Sequence, residues 1–147
     1  MAADISKKPG GGARHHLIIV ADVLRPPINS FAAEVWLRRL IADIGMKLAE
    51  IPDNPLIYYC ATPGNRGLTA TAIIETSNIT LHTWDEKSPA ELQLDVFTCG
   101  ALDADAVLRF VGEFEPVNYG ALVLNRREGI SLHHHEQPKF PVKTGVS

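Results

Sequence analysis

From Leu68 to Trp84 the chain alternates apolar and polar residues with a period of two, and no other feature restricts the fold as strongly. Leu68, Ala70, Ala72 and Ile74 fall on one side, and Thr69, Thr71, Ile73 and Glu75 on the other. Asn78 to Trp84 repeats the pattern, with Ile79, Leu81 and Thr83 against Asn78, Thr80, His82 and Trp84. A helix repeats every 3.6 residues and cannot use such a pattern, so two neighbouring two-faced strands are required. Leu17–Asp22 is a short run rich in β-branched residues, stopped by Arg25-Pro26-Pro27, and reads as a buried strand. Leu56–Thr62, Leu92–Thr98 and Tyr119–Leu124 complete the strands, and Pro63–Gly67 is a turn-rich loop.

Two segments carry helical spacing instead. Asn29 or Ser30 caps the first, whose apolar face is Phe31, Val35, Leu37, Leu40, Ile41, Ile44 and Leu48. It is expected to run to the prolines around Ile51–Pro55. The second starts at Asp103 or Asp105 and runs to Phe114, with Val107, Leu108, Val111 and Phe114 inward. The order β-α-β-β-β-β-α-β defines an α+β class: a two-layer sandwich, mostly an antiparallel sheet with two helices on one face. Ile, Leu and Trp occur on both faces of several strands, so the uncovered face is expected to pack on another subunit.

A chain of 147 residues, 46% of them hydrophobic, supports one well-packed domain and not two. That domain is expected over 14–126, after a disordered segment 1–13 and before a flexible tail 127–147. A net charge of −3 gives no footprint for nucleic acid. No apolar run approaches the roughly 18 residues of a membrane span, and no signal-peptide core is visible, so a cytoplasmic protein without a membrane partner is expected. Cys60 and Cys99 read as reduced thiols. His133, His134 and His135 lack the cysteine or carboxylate frame of a metal site and read as solvated tail, so no metal is expected.

The chemistry concentrates around Ser77. His82 follows it by five residues, and Asp95-Val96-Phe97-Thr98-Cys99 lies downstream, so a hydroxyl, an imidazole and a thiol are expected within reach of one another. Those groups suffice to turn a serine into an electrophile. The Ser77 hydroxyl attacks the carbonyl of Thr76, the ester undergoes β-elimination, and the remaining dehydroalanine hydrolyses to a pyruvoyl group. Imidazole is the side chain whose ordinary titration falls near neutrality, which makes His82 the candidate base. Thr69, on the facing strand, is the candidate donor to the oxyanion. The new ketone forms a Schiff base with a substrate amine and withdraws electrons, and Cys99 then protonates the carbanion. Each residue alone has an ordinary role: a turn serine, a packed histidine, a small buried thiol, a strand threonine.

In combination the residues resemble the prokaryotic S-adenosylmethionine decarboxylases. Gly67-Leu68-Thr69-Ala70 stands where that family has Gly-Val-Ser-Gly, and Ser77, Ile79, His82, Thr83, Trp84 and Glu86 match its Glu-Ser-His-Ile-Ser-Ile-His-Thr-Trp-Pro-Glu. Asp95-Val96-Phe97-Thr98-Cys99-Gly100 matches in full, and the likeness extends over about residues 15–125. The resemblance implies that Thr76-Ser77 is the cleavage site and Ser77 the precursor of a covalent pyruvoyl cofactor. It also implies that His82 serves processing, that Thr69 assists cleavage and that Cys99 donates the catalytic proton. Such proteins form an αββα sandwich on dimerisation, with active sites at subunit contacts, so a homodimer is the implied partner.

For the substrate, the resemblance implies S-adenosylmethionine, decarboxylated for spermidine synthesis. Glu86 matches a position that contacts the ribose hydroxyls. The loop Ala61–Gly67 lacks the family's phenylalanine that stacks on adenine, a loss of roughly 1–3 kcal/mol for a flat base. Thr76 replaces a glutamate and Asn78 a histidine, while Arg66 adds a cation able to pair with a substrate carboxylate. These changes leave two alternatives: an arginine or ornithine decarboxylase on the same scaffold, and an unprocessed homologue that only binds or regulates.

Overall fold

The computed structural model describes residues 14–126 and 133–134. Its elements are β1 (Arg14–Val23), α1 (Ser30–Asp43), β2 (Leu56–Cys60), β3 (Gly67–Ile74), β4 (Ser77–Trp84), β5 (Ala90–Thr98), α2 (Ala104–Gly112), β6 (Pro116–Arg126) and β7 (His133–His134). The strands form one sheet in the order β2-β3-β4-β5-β1-β6-β7, with all its pairs antiparallel. The α+β sandwich expected from the alternation is the one observed. Leu68, Ala70, Ala72 and Ile74 of β3 and Ile79, Leu81 and Thr83 of β4 are buried. They join Leu17, Ile19, Leu92, Leu94 and Val96 and the inward residues of both helices in a single core. Burial of each large aliphatic side chain stabilises the fold by about 1.5–3 kcal/mol.

Among the described residues, the other face of the sheet carries no helix. Thr69, His82, Trp84, Gln93, Asp95, Phe97, His16, Ile18 and Val20 alternate with the buried set and are half-buried or exposed. Val20, Ile73 and Trp84 are each at least 40% exposed there. Polar pairs cross this face: Thr71 Oγ1 lies 3.0 Å from Thr80 Oγ1, and Asp95 accepts from Gln93 at 3.0 Å and contacts His16 Nε2 at 3.1 Å.

Both helices start where a carboxylate or amide side chain replaces the missing backbone partner. Asn29 Oδ1 accepts from Ala32 N at 2.8 Å, and Asp103 Oδ1 from Ala106 N at 3.0 Å. Helix α1 ends well before the prolines. Gly45, at φ 74°, lets its own N–H reach Ala42 O (3.1 Å) and that of Met46 reach Ile41 O (3.0 Å), a glycine-terminated Schellman end. The inward face also differs from the sequence expectation: Phe31 and Val35 are exposed, and Ala33 and Trp36 are buried instead. Trp36 packs against Phe114 with ring centroids 4.8 Å apart and donates its indole N–H to Phe110 O, so helix α2 and the residues just after it decide which side of α1 turns inward.

The 127–147 tail was expected to be loose, yet the backbones of His133 and His134 pair with Asn125 and Leu124 as β7. His135, the segment 1–13 and the rest of the tail lie outside the described residues.

Candidate active site

Residues 75 and 76 form a two-residue turn, because Ile74 pairs with Ser77 across the β3–β4 hairpin. Ser77 opens β4 and keeps only 8% of its surface exposed. Its hydroxyl accepts the backbone N–H of Cys99 at 3.0 Å, and the Cys99 thiol donates to the carbonyl of Thr76 at 3.1 Å. One cysteine thus contacts both the hydroxyl and the carbonyl oxygen of a single peptide unit, Thr76–Ser77. Register explains it: Asn78 pairs with Phe97, so the chain just past the end of β5 lies beside the turn.

Arg14, which sequence reasoning did not single out, completes this cluster. His15 pairs with Thr98 on β1, and Arg14, one step on, lies alongside Cys99 and opposite Arg126 of β6. Burial pushes the Cys99 thiol up. Hydrogen bonds from the Ser77 and Thr76 side chains and the charge of Arg14 outweigh that effect and hold it below an ordinary thiol. The only sequence signal for Arg14 is a cation at the start of the strand that pairs with the Cys99 strand.

His82 and Thr69 form a second, separate cluster. His82 pairs with Thr69 in the register, and Thr69 Oγ1 lies 2.9 Å from His82 Nδ1. The His82 ring stacks on Trp84 at 5.9 Å. Five strand residues separate His82 from Ser77, about 16–17 Å at the usual rise. Five is also an odd number, so the two side chains leave opposite faces of the sheet. Within one chain, hydroxyl, imidazole and thiol are therefore not brought together. Ser77, Thr76 and Cys99 meet at one end, and Thr69 and His82 meet in mid-sheet.

Arg66 and Glu86 sit at the far end of β4. Arg66 donates to Asp85 Oδ1 at 2.8 Å and to the Asp85 carbonyl at 2.7 Å, and Tyr59 donates to Asp85 Oδ2 at 2.8 Å. Burial pushes the Asp85 carboxyl up, but the hydrogen bonds from Arg66 and Tyr59 prevail and keep it below the usual carboxylate range. The cation read as a partner for a substrate carboxylate is thus already paired inside the chain. Glu86 accepts the N–H of Gly64, which ties the 61–67 loop to the strand end. Tyr59, Arg66 and Asp85 line a cavity of about 410 Å³ with Leu24, Pro26 and Lys87.

Gly67 holds the Thr69 strand in place. A Cβ there would lie 1.7 Å from the carbonyl oxygen of Thr83, and Leu68 N donates to Thr83 Oγ1 at 3.0 Å. Among the described residues no cluster of three or more His, Cys, Asp or Glu could hold a metal ion, and no helix is long and apolar enough to cross a membrane.

Fold and site define a small α+β domain with a hydroxyl and a thiol gathered on one peptide unit beside a hairpin. Residues 29–127 match the family model of S-adenosylmethionine decarboxylase. The S-adenosylmethionine decarboxylase proenzyme of Archaeoglobus fulgidus is 29% identical over 110 residues, which covers 74% of this chain and 94% of that protein. The chain belongs to the S-adenosylmethionine decarboxylase family, as a divergent member.

Proposed function

We propose that this chain is a self-cleaving, pyruvoyl-dependent decarboxylase of S-adenosylmethionine that supplies the aminopropyl donor for spermidine. The observation that carries the reading is the grip of Cys99 on both oxygens of the Thr76–Ser77 unit, at 3.0 and 3.1 Å. The Ser77 oxygen attacks the Thr76 carbonyl carbon, the C–N bond breaks, and the Ser77 nitrogen takes a proton to become an amine. The thiol donor at the Thr76 oxygen stabilises the charge that develops there. Loss of the Ser77 α-proton then breaks the Cβ–O bond and releases residues 1–76 with a terminal carboxylate. Water replaces the nitrogen of the resulting dehydroalanine, ammonia leaves, and a ketone remains.

The residues around Ser77 suit such a group: a buried position, a backbone N–H directed at it and a thiol alongside. The pyruvoyl group supplies the electron sink for loss of carbon dioxide. Cys99, lying between that site and Arg14, is the residue that delivers a proton to the substrate carbon.

The Thr69–His82 pair serves the same reaction from a second copy of the chain. It lies on the uncovered face, as do Val20, Ile73 and Trp84, whose exposure supports packing of two such faces. A two-fold axis near Thr80, midway between Ser77 and His82, brings the His82 of each copy to the Ser77 end of the other, on the open side of the Thr76–Ser77 backbone, the face opposite the Ser77 side chain. The pairing of Arg66 with Asp85 removes one of the observations on which arginine or ornithine as substrate rested.

Denaturing mass spectrometry and a substrate panel test the reading together. A pair of fragments split before residue 77, with carbon dioxide released from carboxyl-labelled S-adenosylmethionine, is expected. An intact 16.1 kDa chain refutes self-cleavage. A cleaved chain that acts only on arginine or ornithine refutes the substrate.

A further inference from the structure

The turn before the reactive serine is unusual in its own right. Glu75, its first residue, has φ 57°, in the left-handed region that glycine and asparagine adopt readily and glutamate does not. Among the described residues its exposed side chain has no hydrogen bond or ion pair that repays this conformation. Nor can the turn relax. Ile74 is paired with Ser77 on one side, and Cys99 holds the Thr76 carbonyl and the Ser77 hydroxyl on the other.

The covalent change at this bond alters the length of that constrained loop. In the amide, one nitrogen joins the Thr76 carbonyl carbon to the Ser77 Cα. In the ester, Oγ and Cβ take its place, so the loop gains an atom, and after elimination it is open. Resting on the self-cleavage reading above, we infer that Glu75 is a positioning residue for processing. Its left-handed backbone strains the short amide turn, and the shift to the longer ester relieves that strain. The other left-handed non-glycine residues among the described ones, Asp53 and Glu115, are remote in sequence from any such bond.

Newly synthesised chain from cell-free translation, sampled over time by mass spectrometry, gives the cleavage rate. Glu75→Gly removes the strain and adds flexibility, whereas Glu75→Asn tolerates φ near 57° and retains a side chain. Both variants are expected to cleave roughly tenfold more slowly than wild type. On an uncleavable Ser77→Ala background, both are expected to melt at higher temperature. Slower cleavage combined with greater stability is the opposite of what structural damage produces. Unchanged or faster cleavage in both variants overturns the inference, and so does slowing in the Gly variant alone, which would mark flexibility as the cause. A wild-type chain that never cleaves overturns the self-cleavage reading itself, a different outcome.

Discussion

Removing His82 from one copy of the chain and Ser77 from another tests how the site is assembled. Within one chain the two residues are five strand positions apart, about 16–17 Å, and on opposite faces. A proton transfer requires donor and acceptor within about 3 Å, or one bridging water. No side-chain rotation spans the difference, so under the two-copy reading proposed above the His82 that serves Ser77 belongs to a second copy. His82→Ala alone is then expected to cleave roughly a hundredfold or more slowly, the usual worth of a general base, and Ser77→Ala not at all. Co-expressed in equal amounts, the two variants form mixed dimers as about half of all pairs. Each mixed dimer joins the intact Ser77 of one chain to the intact His82 of the other. About half of the His82→Ala chains should therefore become cleaved, with tags of different mass identifying the parent chain. Mixed dimers seen by native mass spectrometry with every His82→Ala chain intact would refute the two-copy site. His82→Ala that cleaves at the wild-type rate by itself would remove His82 from the chemistry altogether.

Two further outcomes follow from contacts in the same sheet. Alkylation by iodoacetamide proceeds through the thiolate, so a Cys99 held below an ordinary thiol should label half-maximally at a lower pH than free cysteine measured alongside. On a Ser77→Ala background, which itself removes the hydrogen bond that lowers the thiol most, adding Arg14→Gln removes a stabilising cation, moves the midpoint further upward and slows labelling at pH 7, whereas Arg14→Lys keeps most of the effect. Peptide mapping separates Cys99 from Cys60, and an unmoved midpoint would exclude Arg14 as the cause. Gly67→Ala forces a methyl against the Thr83 backbone at 1.7 Å and should cost about 2–4 kcal/mol in chemical denaturation. Gly120→Ala, where nothing lies within 4 Å of the new carbon, is the control and should stay within about 0.5 kcal/mol.

The period-two signal was reliable because it reports a local property: each residue of β3 and β4 is buried or open according to parity alone. Helix α1 was legible as a helix but not in its orientation. Phe31 and Val35 have the right spacing for an inward face, yet the packing of Trp36 on Phe110 and Phe114 sets the rotation, and those partners lie more than 70 positions away. The helix end was misread: the prolines around Ile51–Pro55 drew the expectation past Gly45, the residue that adopts φ 74° without penalty and terminates the helix. The site was legible as a set of residues and not as an arrangement. Ser77 and Cys99 come together through β4–β5 register, which sequence does not disclose. The separation of Ser77 from His82 follows from counting: five positions on a strand mean opposite faces and a span longer than any side chain.

Asp85 bears most directly on what the site accepts. It stands where the resembled family has a proline between tryptophan and glutamate, and a carboxylate at that point changes the whole strand end. With 7% of its side chain exposed, Asp85 requires partners, and Arg66 and Tyr59 supply them. The loop that lacks a stacking phenylalanine is thereby fastened to β4 at Arg66, and again at Gly64 through Glu86. A substrate nucleoside that engages Glu86 must compete with the Gly64 N–H for that carboxylate. It gains in exchange a loop already ordered by Asp85, so less conformational entropy is lost on binding. A free amino acid has no ribose with which to claim Glu86. The same buried carboxylate that departs from the family pattern therefore argues for the family's substrate.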